Sequence, residues 1–361
     1  MKNRWVIWIA AAVLLLTEFG CESKSALQPV VPYTPDIVAE NLDVPWALDF
    51  APDGRIFFTE RPGTVRVIQG ERLLPQPVIS FPAPFVSEGE GGLLGLVIDP
   101  DFAANRFLYV YHTYRDQGMI LNRVVRLREQ NNRATVDKVL IDRIPGGRIH
   151  NGGRLKIGPD RRLYITTGDA GFPQNAQDLS SLGGKILRLN LDGTIPADNP
   201  FPGSPVYSWG HRNPQGIAWN PVDGRMYSSE HGASANDEIN GITPGANYGW
   251  PIVQGSQQAS GMSVPLLHSG SSTWAPSGMT YVTTGPWSGS LLVASLRGEQ
   301  ILQIDVKSRQ VRSFFQNTYG RIRDVIERSD GSLYILTSNR DGRGEERTGD
   351  DKMIRLMPAR P

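Results

Sequence analysis

The chain has 361 residues, with 37 Lys and Arg against 36 Asp and Glu. That length holds one large or two ordinary domains, and the even charge balance excludes the electrostatic footprint of a nucleic-acid or anionic-membrane binder. With 39 Gly and 27 Pro the chain is turn-dense and lacks long helix-periodic runs, which points to an all-β protein.

Residues 1–20 are expected to be an export signal. Lys2 and Arg4 precede an apolar run over 5–16, twelve residues and too short for a comfortable membrane span. Cys21 is the only cysteine and follows Gly20. That arrangement resembles a bacterial lipoprotein site, with Cys21 lipidated, although Glu18 and Phe19 depart from the residues usual there. Residues 21–36 then read as a tether and 37–361 as the folded domain. The expected location is periplasmic or cell-surface, with membrane contact only through the lipid.

From Trp46 onward one unit recurs: a short apolar strand, a Pro/Asp/Gly turn, and a strand with an aromatic-rich step. Its copies start at Trp46, Leu93, Gly153, Gly216, Gly278 and Ile322, at spacings of 44 to 63 residues. Most are followed by a further strand candidate, as at 64–68, 122–127, 185–189, 300–306 and 352–356. Alternating apolar residues around Asp-Gly turns are hairpin chemistry. Six such units predict a radial array of sheets, a six-bladed β-propeller. The long connections 172–183 and 232–249 are rich in Asp, Asn, Gly and Gln, the oxygen chemistry of ligand or Ca²⁺ loops. The segment 338–351 reads as a solvated, mobile run of charges and glycines.

Several polar clusters fall at comparable places in successive units, so a propeller would bring them to one face. One is Glu88 to Gly92, with Glu90 at its centre. Another is His150 with Arg154 and Asp169, where an imidazole precedes a strand pair and a carboxylate ends it. The plainer alternative for His150 is a turn residue bonded to a backbone carbonyl. Next come His211, Arg212 and Asn213, then Arg297, then Arg321 with Arg323. Several guanidinium groups around one mouth would repel one another unless a polyanion bound there, whereas each alone reads as an ion pair. The stretch from Glu230 to Asn240 could offer carboxylate and carbonyl oxygens to a hard cation. Trp274, in a polar loop, is the aromatic expected to meet substrate.

Seven blocks in order resemble the soluble quinoprotein glucose/sorbosone dehydrogenase family. They are GEGGLLGLVIDPDF, HNGGRLKIGPD with LYITTGDAG, AQDLSSLGGKILRLNLDGTIPADNPF, YSWGHRNPQGIAWNP, EHGASANDEINGITPGANYGWP, WAPSGM and RIRDV, spanning about residues 38–357. The resemblance implies a propeller that binds pyrroloquinoline quinone (PQQ) and Ca²⁺ and oxidises aldoses to lactones. Carried over by residue, His150 is the general base and Asp169 orients it. Glu90, Arg212, Asn213, Arg297, Arg321 and Arg323 face the cofactor. Gly232 and Ala233 offer backbone carbonyls to the cofactor-bound Ca²⁺, and Glu238 and the Tyr248 backbone belong to a separate structural Ca²⁺ site.

Glu90 stands where the family usually has Gln, Arg297 where it has Lys, and Ala233 where it has Pro. A carboxylate beside an anionic quinone needs a cation or a proton next to it. No haem-attachment motif is present, so electrons would leave to an external acceptor. The competing reading is a non-catalytic cell-surface propeller that binds sugar or protein.

Overall fold

The computed structural model describes residues 31–359; the expected export signal, Cys21 and most of the expected tether lie outside the described residues. Six antiparallel sheets follow one another along the chain, five of four strands and one of five. Their first strands are Pro45–Phe50, Leu93–Ile98, Leu155–Ile157, Pro214–Trp219, Pro276–Tyr281 and Ile322–Glu327. Each packs against the next, and the last against the first. The architecture is a six-bladed β-propeller, with blades 1 to 6 numbered in that order.

Strands flanked by neighbouring blades carry apolar residues on both faces, so they read as continuous runs rather than alternations. Leu93–Ile98 and Leu163–Thr167 are buried at every position. The outer strand Arg133–Pro145 faces solvent along much of its length and is correspondingly polar.

Blade 6 takes its outermost strand, Tyr33–Ala39, from the other end of the chain, paired antiparallel with Met353–Pro358. Tyr33 to Asp36, expected in the tether, thus belong to this strand, and the expected domain start at residue 37 falls inside it. Pairing here satisfies a sheet edge and locks first strand to last. A second correction concerns the connection 232–249, which contains the strand Glu238–Ile242 of blade 4. Its apolar positions Ile239 and Ile242 are buried, and the polar residues around them masked the strand signal.

In five blades the pairing register shifts near the start of the first strand. Such irregularities re-aim side chains, and here the second residue of four of these strands lines the central channel, Trp46, Leu94, Gln215 and Arg323, while in the fifth the Ser277 hydroxyl donates to Gln215 Oε1 at 3.1 Å. One residue further on stand Ala47, Gly95, Gly216, Gly278 and Asp324. The small residues leave room for one charge pair. Arg154, at the head of blade 3, is 2% exposed and places Nη1 2.7 Å from Asp324 Oδ2 of blade 6. Its Nε donates to the Gln215 carbonyl at 2.9 Å, and its guanidinium lies 4.2 Å from the Trp46 ring centroid. A Cβ at Gly278 would overlap the Asp324 carboxylate. Arg154 is thus an inter-blade ion pair, not a companion of His150.

Candidate active site

Above this pair the channel opens into a cavity of about 480 Å³. Trp46, Leu94, Gln215 and Arg323 belong to its lining, and loops supply Arg61, Glu90, His231, Arg297, Arg321, Asp341 and Arg343. Five arginines against two carboxylates leave a formal excess of three positive charges.

The arginines differ in how far the protein satisfies them. Arg321 is held by Asp341 at 2.8 Å, and Arg323 stands 3.5 Å from the same carboxylate. Arg323 also donates to Gln215 Oε1 at 2.9 Å. Burial pulls its pKa down to about 9 despite Asp341, and burial also lowers that of Arg61. Among the described residues Arg61 and Arg297 have no side-chain partner, and the buried Nε atoms of Arg61, Arg212 and Arg323 and Nε2 of His231 lack hydrogen bonds. Buried donors left open are costly. A planar polyanion in this cavity would relieve the charge excess and the unmet donors of Arg61, Arg323 and His231.

His150 sits at the lip, with its neighbours Asn151 and Gly152 in the lining. Its side chain is 13% exposed, and Nδ1 lies 2.7 Å from Asp169 Oδ1. The imidazole is therefore bonded to a carboxylate and not to a backbone carbonyl. Asp169 ends the neighbouring strand pair and is fully buried; its Oδ1 also accepts the Gly171 N–H, and its Oδ2 accepts the Trp250 indole N–H at 2.8 Å. With Nδ1 held in this way, Nε2 is left to meet a ligand. The main chain of His150 is left-handed, at φ 56°, and packs so tightly on Gly168 that a Cβ there would overlap the His150 carbonyl oxygen. Its N–H donates to Glu90 Oε2 at 2.9 Å. Glu90 Oε1 meets Arg343 Nη1 at 2.6 Å; hydrogen bonds and cations outweigh burial and hold its carboxyl below the usual range.

Arg212 lies beside this group rather than in the large cavity. Its guanidinium is 5.3 Å from the Trp250 ring centroid, and its carbonyl accepts the Asp169 N–H. Asn213 is buried, accepts the Gly152 N–H at 3.0 Å and leaves its amide Nδ2 without a partner.

A second, much smaller cavity of about 10 Å³, room for one water or ion, is bordered by Glu230, Gly232, Asn236, Glu238 and Tyr248. Burial and the nearby Glu230 charge push the Glu238 carboxyl up to about 7. The carbonyls of Gly232, Ala233 and Tyr248 accept no hydrogen bond from another described residue. Ala233 is exposed and borders neither cavity. Among the described residues no three His, Cys, Asp or Glu side chains converge as a metal cluster, so a cation here would draw on carbonyls.

Two expectations need correction. Trp274 is not part of the cavity lining: its ring packs on the core between blades 4 and 5, its main-chain N–H donates to Asp237 Oδ2 at 2.6 Å, and its neighbour Ala275 lines the cavity instead. The segment 338–351 is not merely solvated, because Asp341, Gly342 and Arg343 form part of the cavity wall. Nothing local in the sequence marks Arg61 or Trp46 as part of a site.

Fold and site together define a β-propeller protein with a cationic central cavity and a His–carboxylate pair at its lip. The family model for glucose/sorbosone dehydrogenase matches residues 42–348, and the chain belongs to that family. It is similar to the PQQ-bound aldose sugar dehydrogenase of Streptomyces coelicolor, at 37% identity and a TM-score of 0.82, covering 90% of this chain and 98% of that one. An aldose sugar dehydrogenase of Escherichia coli is 32% identical over 85% of this chain and 90% of its own length. Quinoprotein glucose dehydrogenase B of Acinetobacter calcoaceticus is 37% identical over 62% of this chain and 54% of its own.

Proposed function

We propose that this protein is a PQQ- and Ca²⁺-dependent aldose dehydrogenase that oxidises the C1 hydroxyl of a sugar to the lactone. The observation that carries the reading is the His150–Asp169 pair, 2.7 Å apart at the lip of an arginine-lined cavity. PQQ is a planar tricarboxylate, and the formal excess of three positive charges and the unmet arginine donors fit such a group. Arg297, Arg321 and Arg323 of the cavity wall would hold it, with Arg61 beside them, Glu90 at the edge, and Arg212 and Asn213 approaching from alongside the cavity. When bound, the quinone supplies the two-electron acceptor for the hydride leaving C1.

The chain's own task is to move the proton. His150 Nε2 takes the proton of the anomeric hydroxyl as C1 gives up its hydride, leaving the carbonyl of the lactone. Asp169 fixes the ring's tautomer and steadies the imidazolium that forms. Trp250 and the Gly171 amide fix Asp169 in turn. Backbone carbonyls of the Gly232–Ala233 loop would offer oxygens to a cofactor-bound Ca²⁺, which would supply Lewis-acid polarisation. Glu238 and the Tyr248 carbonyl would hold a structural Ca²⁺ beside the small cavity. An external acceptor would take the electrons.

The chain is further proposed to be exported and held at a membrane through lipidated Cys21. Purified protein given PQQ and Ca²⁺ should reduce a redox dye when an aldose is added. Absence of turnover across a panel of aldoses overturns the proposal.

A further inference from the structure

One contact at the cavity mouth has no part in that chemistry. Arg343 lies between the strands Leu333–Thr337 and Met353–Pro358 of blade 6, while Glu90 precedes the first strand of blade 2. They are 253 residues apart, yet Arg343 Nη1 stands 2.6 Å from Glu90 Oε1. An ion pair whose arginine is 55% exposed ordinarily contributes little. What gives this one weight is the far side of the carboxylate, where Oε2 accepts the His150 amide N–H at 2.9 Å.

Two features make that link consequential. His150 holds a left-handed main chain, a conformation that a non-glycine residue keeps only when its surroundings hold it. In addition, the cavity's carboxylates are unequally compensated. Asp341 is met by both Arg321 and Arg323, whereas among the described residues Glu90 has Arg343 as its sole ion-pair partner. Without Arg343, Glu90 would lose its direct ion-pair partner, keep only the longer-range pull of the other cavity cations, and present a loosened acceptor to His150.

We propose that Arg343 is a positioning residue of this site: through Glu90 it holds the His150 main chain, and it cancels a carboxylate that would otherwise repel the cavity's anionic ligand. The second half rests on the functional reading above; the first half does not.

Two measurements on the full chain separate the halves. The sequence contains five histidines, so protein labelled with ¹⁵N-histidine gives a simple amide spectrum, in which the peak lost in His150→Asn identifies His150. Arg343→Gln is expected to move that peak and speed its hydrogen exchange while His268 stays put, and Arg343→Lys to restore it in part. In calorimetric titration with PQQ, Arg343→Gln should weaken binding about tenfold. Glu90→Gln alone should tighten it, because a carboxylate facing the anion is lost, and the double variant should return to within about threefold of the parent, because both members of the pair are then neutral. An unmoved His150 amide in Arg343→Gln, or a double variant as weak as Arg343→Gln, overturns the proposal. A parent that binds no PQQ overturns the functional reading and the ligand half with it, while the amide spectrum still decides the His150 half.

Discussion

The Arg154 guanidinium stands 2.7 Å from the Asp324 carboxylate, joining the third blade to the sixth across the central channel. Both side chains are 2% exposed, so neither can recover water if the other is lost. Arg154→Met alone should therefore cost about 3–5 kcal/mol, by stranding a buried charge. Arg154→Met combined with Asp324→Leu should recover most of that loss, as read by urea denaturation. Equal losses in the single and double variants would show that the pair carries no charge coupling.

Asp169→Asn preserves shape but no longer stabilises an imidazolium or sets the tautomer of His150. Turnover should fall about 10⁴-fold, the loss seen when such a carboxylate is neutralised elsewhere. Binding of PQQ should be nearly unchanged, because Asp169 is not in the cavity lining. Dye-reduction kinetics and calorimetry on the same preparation check both halves.

Trp250→Phe removes the indole N–H that meets Asp169 Oδ2 at 2.8 Å. A buried carboxylate oxygen left without its donor costs about 1–3 kcal/mol, or about 10- to 100-fold if it falls wholly on the transition state. The expected signature is a lower kcat with the KM for sugar little moved.

His112 is caged by Phe81, Phe85 and Tyr114, and burial pushes its pKa down to about 4. The unfolded chain binds a proton near pH 6.5, so between about pH 6.5 and 4 it holds more protons than the folded one. The stability contribution is fully present above that window and declines as the pH falls through it, by at most about 3 kcal/mol. His112→Phe should flatten this acid slope in denaturation midpoints measured from pH 7 to pH 4.

Chelation tests the small cavity. Calcium held there at about a hundredfold over its Kd would add about 2.7 kcal/mol, so a chelator should lower Tm by about 5 °C. Glu238→Gln should remove that sensitivity. A chelator-dependent Tm identical in the variant and the parent would place the ion elsewhere.

Much of this could be seen in the linear chain. The hairpin units carry their own turn chemistry, so the blade count followed from local signals. His150 and Asp169 stood out because each ends a strand segment of one unit, nineteen residues apart. Arg321 and Arg323 were visible for a similar reason, standing at the head of the first strand of blade 6. Trp274 was misplaced because adjacent residues at a strand head point to opposite sides. Ala275 faces the cavity, and the indole turns to the core.

By itself the sequence determined the class of structure, its sixfold repetition and the chemical character of the mouth, because periodicity, turns and charge are local properties. Only the tertiary structure decided which charges meet. Arg343 reaches Glu90 from 253 residues away, Arg154 meets Asp324 from 170, and Trp250 reaches Asp169 from 81. Ring closure sets those distances, and no local rule of spacing encodes which loop lies opposite which once the last blade is sealed to the first strand.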